Sequence, residues 1–253
     1  MSSSGVRGPS PVRTTQSVTR AEVAAVACAE LFRGDGEILV SPMGLLPSIG
    51  ARLARLTFEP DLLLTNGEAY LVDADGTIEG WQPFRKVLDT VVPHGKRHVV
   101  MGANQVSRYG DQNISAIGDH DRPVKQLLGV RGGPGNTVNH RTSYWVPRHG
   151  KRVFVSEVDI VSGVGYRQAK GFPFHDVHRV VTNLAVLDFG GQDHTMRLVS
   201  THPGVSVDEV CANTSFELHT GGVTETREPT GEELRLLREV VDPKGHRDRE
   251  VPS

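Results

Sequence analysis

The sequence has only two cysteines, Cys28 and Cys211, and they do not form a Cys-x-x-Cys pair. Small disulfide-stabilised scaffolds need several cysteines, and thioredoxin-like redox sites need a close pair, so neither class fits. The pattern is typical of a protein kept in a reducing compartment. We therefore expect a cytoplasmic protein without disulfides.

The sequence also lacks long apolar runs and an excess of one charge. No run approaches the ~18 residues that a membrane span requires, and 28 basic residues stand against 30 acidic ones. This near balance gives no electrostatic basis for binding nucleic acid or an anionic membrane. The first residues, "MSSSGVRGPSPVRTTQS", contain no apolar core of a secretory signal. We expect no nucleic-acid or membrane partner.

Both ends of the chain are rich in polar residues, glycine and proline and lack periodic apolar positions. Such segments bury too little apolar surface to offset the entropy of ordering. The sequence therefore predicts a disordered tail over 1–18, a single α/β domain over 19–241 and a flexible tail over 242–253.

Between these ends, apolar strand-like segments alternate with helix-like segments. Two helices carry capping boxes at their starts, Thr19 with Glu22 and Thr230 with Glu233. The strand-like segments include "EILV", "DLLLT", "RHVVMG", "YWVP", "RVFVSEVDIVSG", "HRVVTNLAVLDF" and "MRLVS". Alternation of this kind predicts an open, mostly parallel sheet with helices on both faces.

Three loops are candidates for a site, because ligands of open α/β sheets bind where loops leave the carboxyl ends of strands. The first is "TNGE" after "DLLL", where Asn-Gly is also a common hairpin turn. The second, over 102–115, carries the polar residues Asn104, Gln105 and Arg108, although backbone capping could use such side chains. The third, "GVRGGPGN" over 129–136, matches neither a phosphate loop nor a dinucleotide fingerprint. Its glycines still allow backbone N–H groups to approach a ligand.

Other chemistries have weak support. Asp119-His120-Asp121 and the His175–His178 segment lack the helical spacing of zinc proteases, so we expect no metal site. The sequence contains no Gly-x-Ser-x-Gly elbow and gives no basis for a Ser-His-Asp triad.

The order of several segments resembles the β subunits of class I coenzyme A transferases, especially the glutaconate branch. The segments run from about Thr19 to Leu236 and are "LARLTFEPDLLLTNG", "NQVSRYGDQNIS", "GGPGN", "KRVFVSEVDIVSGVGY", "RVVTNLAVLDF" and "MRLVSTHPGVSVDEVCANTSFEL". The resemblance implies a heteromer with a homologous α subunit, αβ or α₂β₂, and an active site at their interface. It also implies an acyl-CoA substrate and no cofactor besides the coenzyme A that the substrate carries.

One departure from that family concerns its catalytic turn. The family's Glu-Ser-Gly or Glu-Asn-Gly falls on Thr65, Asn66 and Gly67, so the glutamate that would carry CoA is absent. A threonine hydroxyl is a weak nucleophile without an adjacent base. The departure resembles the CoA-transferase-like, ring-cleaving hydrolases of actinobacterial cholesterol catabolism. That resemblance implies hydrolytic, retro-Claisen opening of a steroid-derived ring, with the catalytic glutamate supplied by the α subunit.

We assign candidate site residues on this basis. Asn66 and Gly67 are expected to support an oxyanion. The expected substrate-binding residues are Thr65, Asn104, Gln105, Arg108, Gly132, Gly133 and Asn136. Two alternatives stay open. One is a transferase that acts on a dicarboxylic acyl-CoA with a displaced carboxylate, Glu68 or Asp111, and the other is a non-catalytic scaffold subunit.

Overall fold

The computed structural model describes residues 17–66, 70–81, 84–86 and 94–251. Its helices are α1 (Arg20–Glu30), α2 (Leu45–Thr57), α3 (Phe84–Lys86), α4 (Gly133–Asn139), α5 (Val207–Ala212) and α6 (Gly231–Leu236). Its strands are β1 (Leu39–Pro42), β2 (Leu63–Thr65), β3 (Tyr70–Val72), β4 (Ile78–Trp81), β5 (Arg97–Gly102), β6 (Gln105–Ser107), β7 (Gln112–Asn113), β8 (Ala116–Gly118), β9 (Pro123–Gln126), β10 (Arg141–Val146), β11 (Phe154–Val155), β12 (Asp176–Thr182), β13 (Ala185–Asp188), β14 (Arg197–Thr201) and β15 (Thr224–Glu225).

Within these ranges, ten strands form one sheet in the order β15-β14-β13-β12-β10-β5-β1-β2-β3-β4. The central strands β12, β10, β5, β1 and β2 are parallel. Antiparallel pairs follow on both sides of this centre. The prediction of an open, mostly parallel sheet is confirmed.

Strands β1, β5 and β10 at the centre of the sheet are buried on both faces. Successive side chains of a strand point to opposite faces, and Val99 and Val100 accordingly belong to two different apolar clusters. The first cluster contains residues of α1, α2 and α6. The second contains residues of α5, and α4 packs against β10. Helices therefore cover both faces, as expected.

The two predicted capping boxes are confirmed. Thr19 Oγ1 accepts from the Glu22 N–H, and a Glu22 carboxylate oxygen accepts from the Thr19 N–H in return. Thr230 and Glu233 repeat the arrangement at α6. Each box satisfies two backbone N–H groups that the first helical turn leaves without partners.

A glycine in the middle of α2 allows α1 and α2 to pack closely. A Cβ atom at Gly50 would lie 2.7 Å from the backbone carbonyl carbon of Cys28, a distance that real Cβ atoms essentially never show. Glycine in a helix interior costs about 1 kcal/mol relative to alanine. The close contact explains why the sequence accepts that cost.

Several strand predictions need correction. The strand predicted at "EILV" continues further, because β1 also includes Ser41 and Pro42. Of "RVFVSEVDIVSG" only β11 is a strand, because that segment pairs with β6 for just two residues. The apolar segment "DLLLT" is not buried along its whole length, since Leu63 is 47% exposed.

The domain extends beyond its predicted end at residue 241. Residues 242–251 pack against the domain, with the side chains of Asp242, Arg247 and Val251 buried. Arg247 donates hydrogen bonds to Asp242 and to Glu22 of α1. This ion-pair network supplies the partners that a polar segment needs in order to be buried. The prediction of a flexible tail is wrong as far as residue 251, and most of the predicted tail at 1–18 lies outside the described residues.

Cys28 and Cys211 are both free thiols. None of the helices in the described ranges is both long enough and apolar enough to span a bilayer.

Candidate active site

A cavity of about 640 Å³ opens at the carboxyl ends of the parallel strands. Met43 and Gly44 follow β1, Asn66 follows β2, and Trp145 lies near the end of β10. The predicted position of the site, at this edge of the sheet, is where the cavity lies. Its volume falls within the range of small-molecule sites, roughly 300–1,000 Å³.

The wall of the cavity combines apolar side chains, glycine backbone and a few polar groups. The described lining residues are Met43, Gly44, Asn66, Arg97, Met101, Gly102, Ala103, Asn104, Gln112, Ile114, Leu128, Arg131, Gly132, Gly133, Asn136, Trp145, Pro147 and Glu250. The structure thus brings together Asn66, Asn104, Gly132, Gly133 and Asn136 from three loops that are distant in sequence. Their individual roles remain predictions.

A buried guanidinium supports one side of the cavity. Arg97 is 1% exposed, and its Nη1 donates to Asn136 Oδ1 at 2.9 Å. Its Nε donates to Ser41 Oγ, also at 2.9 Å. Burial lowers the pKa of nearby His140 to about 4, and the positive charge of Arg97 adds to the effect. His140 is therefore neutral at pH 7, and Arg97 brings positive charge to this part of the wall.

Asn66 is held at the cavity wall by the hairpin between β2 and β3. Its N–H donates to the Tyr70 carbonyl oxygen at 3.0 Å, and its Oδ1 accepts from the Tyr70 N–H at 3.2 Å. The hairpin that Asn-Gly predicts is confirmed by the antiparallel pairing of its strands. Oδ1 is thus engaged in the turn, and Nδ2 is the part of this amide that can donate hydrogen bonds. Gly67 and Glu68, both named as candidates, lie outside the described residues.

Thr65 does not line the cavity. Its side chain is buried, and its hydroxyl donates to the Val40 carbonyl oxygen at 2.9 Å. Ser41 Oγ lies 3.4 Å away. The residue at the position of the missing glutamate therefore joins β2 to β1. The expected contact of Thr65 with substrate finds no support in this geometry.

The loop over 102–115 divides its polar residues between the cavity and the interior. Asn104 lines the cavity, whereas Gln105 is buried and its Oε1 accepts from Asn113 Nδ2 and the Asp159 N–H. Arg108 is exposed, and its guanidinium lies 5.0 Å from the centre of the Tyr109 ring. Gln105 therefore serves the interior of the fold, through a side-chain amide and a backbone N–H that lies 54 residues away. Gln105 and Arg108 are not part of the cavity wall.

Asp111, the alternative displaced carboxylate, is also internal. Its Oδ2 accepts from Ser107 Oγ at 2.6 Å, and its Oδ1 accepts from the Gly165 N–H at 2.8 Å. The side chain is buried and does not line the cavity. Both oxygens are engaged in holding the loop, so this geometry gives no support to Asp111 as a nucleophile.

The glycine-rich segment supplies backbone rather than side chains to the wall. Residues 133–139, partly expected as loop, form α4. A Cβ at Gly133 would lie 2.9 Å from the Ser162 carbonyl oxygen, so only glycine fits without a shift of the backbone. Arg131, just before it, has a positive φ of 47°, which is uncommon for a residue other than glycine. The segment therefore follows a tightly constrained path along the cavity.

Sequence reasoning missed Arg97, Trp145 and Glu250 as wall residues. Arg97 and Trp145 lie inside segments that were recognised only as strands, and Glu250 lies in the supposed tail. A charged residue at the start of the apolar "RHVVMG" segment was the one available signal, since a buried arginine needs specific partners.

The fold contains a hydrogen-bonded Ser-His-Asp series, although no sequence motif indicates one. His98 Nδ1 lies 2.6 Å from an Asp35 oxygen, and Nε2 lies 2.9 Å from Ser143 Oγ. An ionised carboxylate only accepts, so Nδ1 is the donor to Asp35. Ser143 and His98 are fully buried near the amino ends of β10 and β5. No substrate reaches this serine, so the hydrogen-bonded series has a structural role.

Among the described residues, no group of three or more His, Cys, Asp or Glu side chains could hold a metal ion.

Comparisons with known proteins agree with the architecture. No family model matches the chain. The chain is 61% identical over 251 residues to the cholesterol ring-cleaving hydrolase IpdB subunit of Rhodococcus jostii (strain RHA1), and the match covers 94% of this chain and 98% of that protein. It is 30% identical over 239 residues to one subunit of the 3-oxoadipate CoA-transferase of Pseudomonas knackmussii, and this match covers 86% of this chain and 91% of that one.

The crystal structure of Rhodococcus jostii RHA1 IpdAB contains a chain with the same fold. The match has a TM-score of 0.89 at 58% sequence identity and covers 94% of this chain and 100% of that chain. High identity over nearly the full length of both proteins confirms the resemblance that the ordered segments indicate. The chain belongs to the IpdB subunits of the cholesterol ring-cleaving hydrolases, a branch of the CoA-transferase family.

Proposed function

We propose that the chain is the β-type subunit of a cytoplasmic, heteromeric hydrolase that opens a carbocyclic ring of a steroid-derived acyl-CoA. The observation that carries this proposal concerns the residue at the position of the family's nucleophile. Thr65 occupies it, and its hydroxyl is bound to the Val40 carbonyl oxygen inside the sheet. A CoA-transferase fold without its nucleophile retains a thioester-sized cavity but loses the covalent route, so water takes the place of the carboxylate.

The reaction balances without a redox partner. Water adds through its oxygen to the ring ketone that lies β to the thioester. The bond between this carbon and the α carbon then breaks, and its electron pair forms the thioester enolate. One proton from water finally reaches the α carbon, and the former ketone becomes a carboxylic acid. The reaction needs hydrogen-bond donors for two developing oxyanions, the hydrated ketone and the enolate.

The cavity offers such donors. The Asn66 amide is oriented by its turn, and the Gly132 backbone lines the same cavity. The Gly133 N–H already donates to the Val130 carbonyl oxygen. A donor placed at a developing oxyanion contributes about 2.7–4 kcal/mol to catalysis. We assign Asn66 to this task. Coenzyme A enters as part of the substrate, and the proposal requires no resident cofactor.

The α subunit is proposed to close the open side of the cavity and to supply the catalytic glutamate. Leu128, at the rim, is 73% exposed, and Val124 on β9 is 87% exposed. The two residues are close in sequence, and clustered exposed apolar side chains mark protein interfaces. An interface here would cover the cavity and exclude water other than the reacting molecule.

The experiment uses this chain co-expressed with its α subunit and a six-membered-ring β-keto acyl-CoA as substrate. In H₂¹⁸O, we expect one ¹⁸O atom in the new carboxyl group and no glutamyl-CoA adduct trapped by hydroxylamine. A trapped adduct on this chain would establish a transferase instead. Absence of ring opening by a folded complex would refute the hydrolase proposal.

Variants of Asn66 separate catalysis from scaffolding. Asn66→Asp keeps an acceptor for the Tyr70 N–H but removes the amide donor, so kcat should fall by about 10²–10³ while the hairpin is preserved. Asn213→Ala is the matched control, because that amide only donates to the Glu209 carbonyl oxygen at the end of α5. Equal turnover of both variants would indicate that this subunit is a scaffold.

A further inference from the structure

Glu250 provides the one carboxylate among the described residues that line the cavity. It lies in the segment after α6, and it returns to the start of α2, 204 residues earlier in the chain. Carboxylates in a largely apolar cavity need partners that offset their desolvation. The hydrogen-bond partners of Glu250 therefore indicate the role of its carboxylate in the cavity.

One oxygen of this carboxylate is fully committed. Oε2 accepts from the Trp145 Nε1–H at 3.0 Å and from the Leu46 N–H at 3.2 Å. Leu46 lies in the first turn of α2, whose N-cap residue, Gly44, has no side chain to cap it. Glu250 thus caps this 13-residue helix, and the positive end of the helix dipole stabilises its negative charge. The carboxylate is fixed in one orientation at the wall.

Three of the other side-chain amides at the wall have an oxygen that is already hydrogen-bonded or is buried. Asn66 Oδ1 accepts from the backbone of its turn, and Asn136 Oδ1 accepts from the buried guanidinium below it. Gln112 Oε1 is buried away from solvent. Asn104 is a neutral amide on an exposed loop. Among the described wall residues, Glu250 is the charged acceptor that a water in the cavity can use.

We propose that Glu250 is a catalytic residue of ring hydrolysis and that its Oε1 accepts a hydrogen bond from the attacking water. This inference rests on the proposed hydrolase function. A water that attacks through its oxygen lone pair must direct its hydrogens toward acceptors, and an anionic acceptor makes the oxygen more nucleophilic. Because Trp145 and α2 fix Oε2, Oε1 holds the water in a constant position relative to the ring ketone.

The decisive variant is Glu250→Gln in the co-expressed complex. The two N–H groups of Trp145 and Leu46 require an oxygen at the Oε2 position, so the NH₂ group of glutamine must occupy the Oε1 position. The wall and the helix cap are retained, but the group facing the cavity changes from acceptor to donor. We expect kcat to fall by about 10²-fold, with KM within about threefold of wild type and Tm unchanged. A purely structural Glu250 would leave kcat unaffected.

Asp248→Asn is the matched control, because Asp248 lies in the same segment, is exposed and does not line the cavity. Wild-type kcat in Glu250→Gln would overturn the inference while leaving the hydrolase function intact. A wild-type complex that opens no ring would refute the hydrolase function and this inference with it. If Glu250→Gln does not assemble, Glu250→Ala assayed with added formate decides: recovery of kcat supports the inference, and no recovery overturns it.

Discussion

The replacement of Thr65 by valine separates a structural hydroxyl from a catalytic one. Valine has nearly the shape of threonine, so the buried position stays filled. The 2.9 Å hydrogen bond to the Val40 carbonyl oxygen is lost, together with the longer contact to Ser41 Oγ. Leaving a buried acceptor without this partner costs about 1–3 kcal/mol of the free energy of unfolding. For a chain of this size, that lowers Tm by roughly 2–4 °C per kcal/mol.

Turnover should hardly change. No covalent step depends on the hydroxyl in the proposed mechanism, so we expect kcat of Thr65→Val within about threefold of wild type, or ~0.65 kcal/mol in activation free energy. The assay is steady-state ring hydrolysis by the purified complex, with Tm measured on the same sample by circular dichroism. Thr57→Val is a matched control for stability. Thr57 donates to the Leu53 carbonyl oxygen near the end of α2, outside the cavity.

The opposite pattern would refute this reasoning. Loss of a covalent nucleophile lowers kcat on the order of 10⁴-fold or more. If Thr65→Val shows such a loss while its Tm matches that of wild type, the hydroxyl acts in catalysis and the bond to Val40 is incidental. Thr65→Ser then serves as a rescue, since serine restores a hydroxyl at the same position.

Other predictions concern stability and chain length. Gly50→Ala should lower Tm although alanine is the better helix former, because its Cβ would overlap the Cys28 backbone, and a thermal melt tests this. His140 has its pKa lowered to about 4 by burial, so the unfolded state binds protons first as pH falls from about 6.5 to 4. Stability should then fall by up to about 1.4 kcal/mol per pH unit from this group. Urea titrations should show a flatter pH dependence for His140→Leu, with no loss of stability at pH 7, because neither ring nitrogen has a partner. Deletion of the first fifteen residues should leave Tm and kcat unchanged, whereas a chain that ends at residue 241 should lose both, because 242–251 cap α2 and bury Val251. A large fall in Tm after the first truncation, or a stable and active complex after the second, would contradict these expectations.

Features with a local physical cause were predictable from the sequence. Capping at Thr19 and Thr230 depends on residues three positions apart, and the hairpin at Asn66 depends on a turn whose residues tolerate positive φ. The position of the cavity follows from a general rule for parallel sheets. The absence of the family's glutamate at Thr65 was visible in the letters themselves, and this absence separates hydrolase from transferase.

What only the tertiary structure decided depends on contacts between distant segments. Gln105 and Asn104 are neighbours in a polar loop, yet only Asn104 lines the cavity. Gln105 begins β6 and is held in the interior by Asn113 and by the Asp159 N–H, which lies 54 residues away. Arg97 reaches the cavity because its partner Asn136, 39 residues away, lies on a helix that packs on the same face of the sheet. Glu250 lies in a segment without apolar periodicity, and its order comes from ion pairs and a helix cap formed with residues more than 100 positions earlier. Hydrogen bonds between such segments leave no periodic trace in either one. The tertiary structure was therefore needed to assign these residues to the site.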